Sequence, residues 1–496
     1  MHVEAAVDGL AENPALPAGL VWRLIPYRRG RRRVAARADL TGEMIDAIIG
    51  SGDHWLVHAL ALSPHLPEPV QLRLAASPDG AVRCALAGRS ASPDVLAVLV
   101  DDRDRRVREA VAENSHCPAN LRARLARDPD AGIRATLGRW WVGAPEAVRR
   151  VLLTDPVDTV REFACSTYFA RRPHPVPPAD LVPQLVDDPV TRAGAVRHAI
   201  LTPELAERLA ADAGYEVRAE LARHPGLPAA VRDRLAEDRS ATVRVAIFGR
   251  ADTPEPTRRR IHDDVMSAEY DMLEAETEEA FADCFAPGEL EDMHLAWVAA
   301  DPLPHLGSPY VAFRASAGRS PGLPPEAVAR LLADENNRVR LAAARTAPHL
   351  VDPATAERID REFRPRRHTR WRPADVLPLP PEVLRRLATD PAARMRRLAP
   401  RDPGLPAELA ERLAADESAA VRGAVAQHPN LPVPALAALL DDRDEGVVRR
   451  AAAAPRVPVA QMERIVAAAG LCTAGCRGGG TCSADTKASD TDSAGS

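Results

Sequence analysis

The sequence predicts an all-α fold, a solenoid of short helical repeats, and three observations support this prediction. A Pro-x-Leu-Pro connector recurs along the chain, at residues 14–17, 64–67, 225–228, 321–324, 403–406 and 429–432. From Pro67 the helix-starting proline returns at Pro93, Pro118 and Pro145, which sets a period of 25–27 residues. Each period holds two apolar segments with helical spacing. One such unit cannot bury its own apolar stripe, so the units must stack. We expect about fourteen or fifteen of them in this chain.

The connector marks the start of the first helix in each unit. Its second proline suits the first turn of a helix, where the missing N–H has no partner. Its first proline ends the preceding helix. Pro228, Val231 and Leu235 then follow at helical spacing, and the same pattern follows Pro406. We therefore expect a helix of about three turns whose leucine stripe is buried.

A short polar turn and a second, shorter helix complete the unit. The turn places Asp130, Ser240 and Ser418 where an N-cap side chain would accept backbone N–H groups. The second helix begins with Val-Arg and continues with small apolar residues, as in VREAV, VRVAI and VRGAV. Small side chains here predict a close approach of neighbouring helices.

An aspartate followed six residues later by an arginine is the most regular polar feature. The pattern occurs at Asp102/Arg108, Asp128/Arg134, Asp155/Arg161, Asp212/Arg218, Asp238/Arg244, Asp334/Arg340, Asp390/Arg396 and Asp416/Arg422. The arginines could form a track for phosphates or carboxylates, or each aspartate could cap and pair within and between units. Because every arginine comes with its own acid, the structural interpretation is favoured over a phosphate track.

The repeated pattern P-x-x-L-x-x-x-L-x-x-D-x-x-x-x-V-R-x-x-V-A resembles the leucine-rich repeat variant family, which is HEAT-like in style. The resemblance covers roughly residues 10–260 and 318–470. It implies a right-handed superhelix in which an α-helix alternates with a shorter, often 3-10, helix. It implies no shared catalytic activity. The iron–sulfur module associated with this family lies on the N-terminal side of the repeats, and its cysteines are missing here, since Cys84 is the first cysteine.

Composition narrows the possible functions. The net charge is −5, whereas a protein that binds nucleic acid over its whole surface is normally strongly basic. All but one of the 65 basic residues are arginine, the exception being Lys487, which indicates a GC-rich, actinobacterial-type genome. The sequence shows no secretory signal and no apolar run of membrane-spanning length. Four of the seven cysteines are scattered singly, so we expect a cytoplasmic protein without membrane contact.

Breaks in the pattern divide the chain into four predicted segments: an N-terminal array (1–260), an irregular acidic insert (261–317), a C-terminal array (318–470) and a tail of disordered composition (471–496). Residues 261–313 contain no Lys or Arg, and Met266, Tyr270 and Phe281 recur at near-helical steps. These features predict a longer acidic amphipathic helix, then an irregular connection. The carboxylates of Glu274 and Glu278 lack the Glu-x-x-His partners of a di-metal site, which favours a solvated acidic face.

Two arginine clusters are candidate partner-binding sites. Residues 28–33 hold five arginines and residues 361–372 hold six, the latter around a tryptophan. Arginine beside tryptophan can stack on a base or grip an acidic segment. The candidate residues are Arg31, Arg32, Arg33, Arg366, Arg367, Arg370 and Trp371. A solvated cap is the alternative for the first cluster, and pairing with the acidic insert is the alternative for the second.

Cys472, Cys476 and Cys482 are the candidate metal ligands, in a glycine-rich tail. Three clustered thiols could hold zinc or an iron–sulfur cluster. The spacing contains no C-x-x-C and no fourth local ligand, so free thiols are favoured and no cofactor is expected.

The sequence therefore favours a non-catalytic scaffold whose curved surface binds a protein or peptide. It contains no nucleophile elbow, no P-loop and no H-E-x-x-H motif. A nucleic-acid-binding repeat protein that uses the arginine clusters is the first alternative. A metal or iron–sulfur redox protein that uses the tail cysteines is the second. The sequence leaves the oligomeric state open.

Overall fold

The fold is known from a computed structural model that describes residues 2–27, 31–166, 176–364 and 371–471. Within these ranges every regular element is an α-helix or a short 3-10 helix and none is a strand, which confirms the all-α repeat fold. The right-handed sense of the superhelix stays a prediction.

The helices are short and follow one another closely. In the first half they are α1 (Val3–Glu12), α2 (Ala18–Leu24), α3 (Arg31–Ala35), α4 (Gly42–Gly50), α5 (His54–Ala61), α6 (Glu68–Ala75), α7 (Gly80–Ala87), α8 (Pro93–Leu99), α9 (Arg105–Glu113), α10 (Ala119–Arg122), α11 (Ala131–Trp140), α12 (Glu146–Leu153), α13 (Asp158–Cys165), α14 (Val182–Asp187), α15 (Arg192–Val196), α16 (Pro203–Ala210) and α17 (Tyr215–Ala222).

The second half continues with α18 (Ala229–Leu235), α19 (Ala241–Phe248), α20 (Glu255–Ser267), α21 (Glu278–Asp283), α22 (Ala286–Asp292), α23 (Ala296–Ala300), α24 (Val311–Ala317), α25 (Pro325–Leu332), α26 (Asn337–Thr346), α27 (Pro353–Glu362), α28 (Pro381–Leu387), α29 (Ala393–Arg396), α30 (Ala407–Ala414), α31 (Ala419–Val425), α32 (Val433–Leu439), α33 (Glu445–Ala452) and α34 (Val459–Ala468). In the described part of the chain, five 3-10 helices lie between them, at Ala123–Arg127, Leu303–His305, Pro348–Leu350, Pro373–Asp375 and Ala399–Arg401.

The chain forms two compact units. Unit 1 joins Met1–Leu66 with Leu384–Ser496, and unit 2 comprises Pro67–Val383. The four-segment division expected from composition stays a prediction.

Each regular repeat has a leading helix and a trailing helix, as α18 and α19 show. Pro228 immediately precedes α18, and Val231 and Leu235 are 2% and 1% exposed on it. The predicted leucine stripe is therefore core. In α19, Val243 and Ile247 are also fully buried, so both helices of the repeat contribute to a continuous interior.

The predicted N-caps are correct at Asp130 and wrong at the two serines. The Asp130 side chain accepts the N–H of Gly132. Ser240 and Ser418 do occupy the N-cap positions, but their hydroxyls accept no backbone N–H there. The preceding aspartates organise the turn instead: the carboxylates of Asp238 and Asp416 accept the N–H groups of Ser240 and Ser418.

The acidic insert contains short helices instead of the single long one that we expected. The helix α20 ends at Ser267, and α21, α22 and α23 follow as separate segments. The acids of the insert pair with arginines of the repeats: Glu279 contacts Arg218 and Arg239, and Glu291 contacts Arg338. These ion pairs hold the insert against the repeats, so only part of the acidic surface is solvated.

The N-terminal helix α1 continues the stack of trailing helices in unit 1. It packs against α33 and α34, and it also contacts α3. The approach is so close that a Cβ atom at Gly9 would collide with the backbone carbonyl of Arg449. The leading helix α34 and the trailing helix α1 thus form one repeat from two distant stretches of the chain.

Candidate partner-binding cavity

The Asp/Arg pattern forms a chain of contacts from one repeat to the next. The Nη1 group of Arg422 donates to the backbone carbonyl of Asp416, six residues earlier, at 2.8 Å. Its Nε and Nη2 groups donate to both carboxylate oxygens of Asp442, in the next repeat, at 2.7 and 2.8 Å. Each such arginine therefore links the turn of its own repeat to the aspartate of the next repeat.

We call this set of pairs the arginine ladder. It comprises Arg83–Asp102, Arg108–Asp128, Arg134–Asp155, Arg161–Asp188, Arg192–Asp212, Arg218–Asp238, Arg314–Asp334, Arg396–Asp416 and Arg422–Asp442, with N–O distances of 2.6–2.8 Å. The guanidinium groups are committed to carboxylates, so they do not form a track for phosphates.

The ladder is interrupted at Arg244 and Arg340. Both keep the bond from Nη1 to the aspartate carbonyl six residues earlier, but both have a buried Nε without a partner among the described residues. Arg340 pairs with Glu362 instead of an aspartate. These interruptions flank the acidic insert and the second arginine cluster.

A second row of arginines, which the sequence analysis missed, lies five residues after ladder positions. Its members are Arg139, Arg197, Arg223, Arg319, Arg345 and Arg401. The repeated spacing Arg-x4-Arg was the signal that could have revealed it. We call this set the second row.

Glu220 neutralises two members of the second row. It is 9% exposed and accepts hydrogen bonds from Arg197 at 2.6 Å and from Arg223 at 3.2 Å. Glu220 lies two residues after the ladder arginine of its repeat, Arg218. One acid at this position thus serves the second-row arginines of its own and of the preceding repeat.

Arg319 and Arg345 have no such acid. The positions that correspond to Glu220 hold Ser316 and Ala342, and among the described residues neither arginine forms an ion pair. The Nη1 atom of Arg319 is buried without a hydrogen-bond partner in the described part of the chain. Burial lowers the pKa of Arg319, and the charge of Arg345 acts in the same direction.

These two arginines line a cavity of about 910 Å³ in unit 2, together with Arg338, Leu341, Ala342 and Phe363. The guanidinium of Arg345 lies over the ring of Trp371, 5.5 Å from its centroid. Trp371 in turn meets Phe363 edge to face at 5.3 Å. The cavity therefore combines cationic side chains with a supporting pair of aromatic rings.

The carboxylates that border this cavity already have partners. Asp292 pairs with Arg338 at 3.3 Å, and Glu362 pairs with Arg340. Asp292 acts to raise the pKa of Arg319 but does not offset its burial. The cavity keeps an excess of positive charge at Arg319 and Arg345.

The structure places only some of the predicted partner-binding residues. Trp371 supports the cavity as described, whereas Arg366, Arg367 and Arg370 lie outside the described residues, as do Cys472, Cys476 and Cys482.

In the first cluster, the side chain of Arg31 also lies outside the described part. Arg33 pairs with Asp8 at 2.6 Å and with Glu12 at 2.5 Å. Arg32 and Arg33 line a smaller cavity of about 480 Å³ in unit 1. Because Arg33 is committed to two acids, this side chain adds little free charge to a partner-binding surface.

Two further features bear on function. Over the described ranges, no group of three or more His, Cys, Asp or Glu side chains is arranged to hold a metal ion. None of the helices that the structure describes is both long and apolar enough to cross a bilayer.

Stacked two-helix units, joined by the arginine ladder, define a helical-repeat protein. The pattern of the leucine rich repeat variant family matches residues 105–130 in unit 2 and 419–444 in unit 1. Each matched stretch contains one complete ladder pair, Arg108–Asp128 or Arg422–Asp442. Over these two stretches the chain is thus similar to the leucine rich repeat variant family, which confirms the resemblance seen in the sequence there. A comparison with curated proteins found no match.

Proposed function

We propose that this protein is a non-catalytic, cytoplasmic scaffold that binds a protein or peptide partner through the cavity beside α26. The observation that carries the proposal is the combination of Arg345, Trp371 and Phe363 at a cavity of about 910 Å³. Arginine and aromatic side chains are enriched at the energetic centres of protein interfaces. Helical-repeat folds commonly present such surfaces to other proteins.

Nucleic acid is the competing ligand, and the charge distribution argues against it. The ladder arginines are neutralised by aspartates along both units. Asp292, which lines the cavity, and the neighbouring Glu291 both pair with Arg338, so the positive charge left at Arg319 and Arg345 forms a small patch and not an extended track for a phosphate backbone. We therefore expect this protein to bind DNA no more than weakly, with an affinity that falls as the salt concentration rises.

Site-specific photo-crosslinking in a lysate of the native cell tests the proposal. A photoreactive amino acid at Leu341, which lines the cavity, should form a crosslink to a defined protein. The same probe at Val98, which is 55% exposed on α8, is the matched control. The crosslink should disappear when Trp371→Ala is added. Identical products from Leu341 and Val98 would contradict the proposal.

A DNA titration at near-physiological salt tests the alternative. The wild type is compared with a variant in which Arg366, Arg367 and Arg370 are changed to alanine. Submicromolar affinity of the wild type that this variant loses would establish a nucleic-acid-binding protein in place of the scaffold.

A further inference from the structure

We infer that the cavity beside α26 recognises acidic side chains of a peptide, so that Arg319 and Arg345 hold carboxylates of the partner. The inference rests on the proposed function and names the chemistry of the partner. Two pairs of arginines in the second row differ in whether the protein supplies them with an acid.

At Arg197 and Arg223 the protein supplies the carboxylate itself. Glu220 receives hydrogen bonds from Arg197 and Arg223, at 2.6 and 3.2 Å, and is nearly fully buried between them. This arrangement satisfies two neighbouring guanidinium groups with one internal acid.

At Arg319 and Arg345 the same repeat register recurs without the acid. Arg319 is the second-row arginine of the repeat that precedes Arg345, as Arg197 precedes Arg223. Ala342 occupies the position of Glu220 and lines the cavity. The small side chain leaves open the space that the carboxylate fills in the earlier repeats.

The unsatisfied atom indicates the chemistry of the missing group. A buried guanidinium N–H without an acceptor is unfavourable, and a carboxylate is an acceptor with which arginine forms strong, often bidentate hydrogen bonds. The Nη1 atom of Arg319 has no such acceptor among the described residues. The adjacent segment 365–370 has the sequence PRRHTR and contains no acid, so it offers no carboxylate either.

The wall of the cavity favours a peptide over a small anion. Phe363 and Leu341 provide apolar surface beside the arginines, and the volume of about 910 Å³ exceeds what a single carboxylate occupies. An acidic segment with flanking apolar groups would match both features.

The test restores the internal acid. In Ala342→Glu, the new carboxylate should pair with Arg319 and Arg345 as Glu220 pairs with Arg197 and Arg223. Binding of a fluorescein-labelled peptide of alternating glutamate and glycine, followed by anisotropy, should weaken by at least about tenfold, as expected when charge-assisted hydrogen bonds are lost. The matched control Ala342→Gln fills the same space without charge, so it should weaken binding less than Ala342→Glu does if the two arginines recognise charge.

Three comparisons decide between occupants. The corresponding glutamine–glycine peptide should not bind the wild type, and inorganic phosphate should compete only weakly. A single-stranded oligonucleotide is the third ligand. If it binds the wild type more tightly than the glutamate peptide does, and if Ala342→Glu abolishes that binding, the occupant is a nucleic acid and the inference is wrong. Equal affinity of Ala342→Glu and wild type for the glutamate peptide would also overturn it.

The folding of the variants is checked by circular dichroism and thermal melts. Ala342→Glu should melt at or above the wild-type temperature, because it gives Arg319 a partner. If this variant does not fold, Arg319→Gln combined with Arg345→Gln replaces it, and the same loss of peptide binding is expected. A protein crosslink at Leu341 without any glutamate-peptide binding would refute this inference and leave the proposed function standing.

Discussion

The side-chain amide of Asn13 donates hydrogen bonds to the backbone carbonyls of Ala452 and Ala454, at 2.9 and 2.7 Å. Inside unit 2, the side-chain amide of Asn114 likewise donates to two backbone carbonyls of the preceding repeat, those of Ala87 and Ser90, at 2.7 and 2.8 Å. The contact that joins successive repeats is thus also used to join the N-terminal helix to the last repeats. Two parts of the chain more than 400 residues apart therefore pack as neighbours.

We expect Asn13→Ala to destabilise unit 1. Asn13 is fully buried, and its loss leaves two buried carbonyls without their donor, which costs about 1–3 kcal/mol of unfolding free energy. Urea unfolding followed by circular dichroism measures the change. Asn114→Ala is the matched control and should lose a similar amount. A neutral Asn13→Ala with a destabilised Asn114→Ala would show that α1 does not dock on α33.

Removing one partner of a ladder pair should lower the unfolding free energy more than replacing both partners. In Arg422→Met the carboxylate of Asp442, whose side chain is 8% exposed, loses its partner, and we expect a loss of about 2 kcal/mol in unfolding free energy. Adding Asp442→Asn should recover part of this loss, because no unpaired charge then remains. The exposed pair Arg106–Asp104 is the control, and Arg106→Met should change stability little. If the losses of unfolding free energy caused by Arg422→Met and by Asp442→Asn simply add in the double variant, the two side chains are not a coupled pair.

The ladder also predicts sensitivity to acid. Hydrogen bonds from Arg396 hold the pKa of Asp416 below its ordinary value, and those from Arg422 do the same for Asp442. A carboxylate with a lowered pKa in the folded state stabilises the fold at every pH above its unfolded pKa, which is about 4. This stabilisation is lost as the pH falls through the folded pKa. Unfolding free energy should thus fall steeply below about pH 4.

Asp416→Asn provides the control for this pH dependence. The variant should be less stable at neutral pH, and its stability should fall less steeply below about pH 4, since one linked proton is gone. Parallel pH profiles for the variant and the wild type would contradict the role of Asp416.

The buried leucine stripe sets the stability of each repeat. Leu235 is 1% exposed in α18, so Leu235→Ala should cost about 2–5 kcal/mol in denaturant melts. Val98→Ala, at a side chain 55% exposed, is the comparison and should be close to neutral. If both substitutions were neutral, the stripe would not be core.

Much of the fold could be predicted from local sequence because its signals are local. Pro228 and the spacing of Val231 and Leu235 define the leading helix without reference to any other repeat. The acidic insert was harder, since its apolar residues recur at near-helical steps, yet α20 ends at Ser267 and shorter helices follow. Ion pairs such as Glu279 with Arg218 hold that segment, and these connect residues far apart in sequence.

The candidate site could be predicted only in part. The sequence pointed to Trp371, and the structure places this ring against Arg345 and Phe363. The sequence did not point to Arg319 or Arg345, because it does not show which acid each arginine contacts. The difference became visible once Glu220 was seen between Arg197 and Arg223.

The sequence by itself determined the repeat, its helices and its neutral Asp/Arg pattern, since proline geometry, helical spacing and local charge act within a few residues. Only the tertiary structure decided that Arg422 pairs with the aspartate of the following repeat, Asp442. It also decided that α1 completes the repeat begun by α34. These contacts depend on which helices stack in space. The energy of stacking comes from burial and hydrogen bonds between units, which no single unit contains.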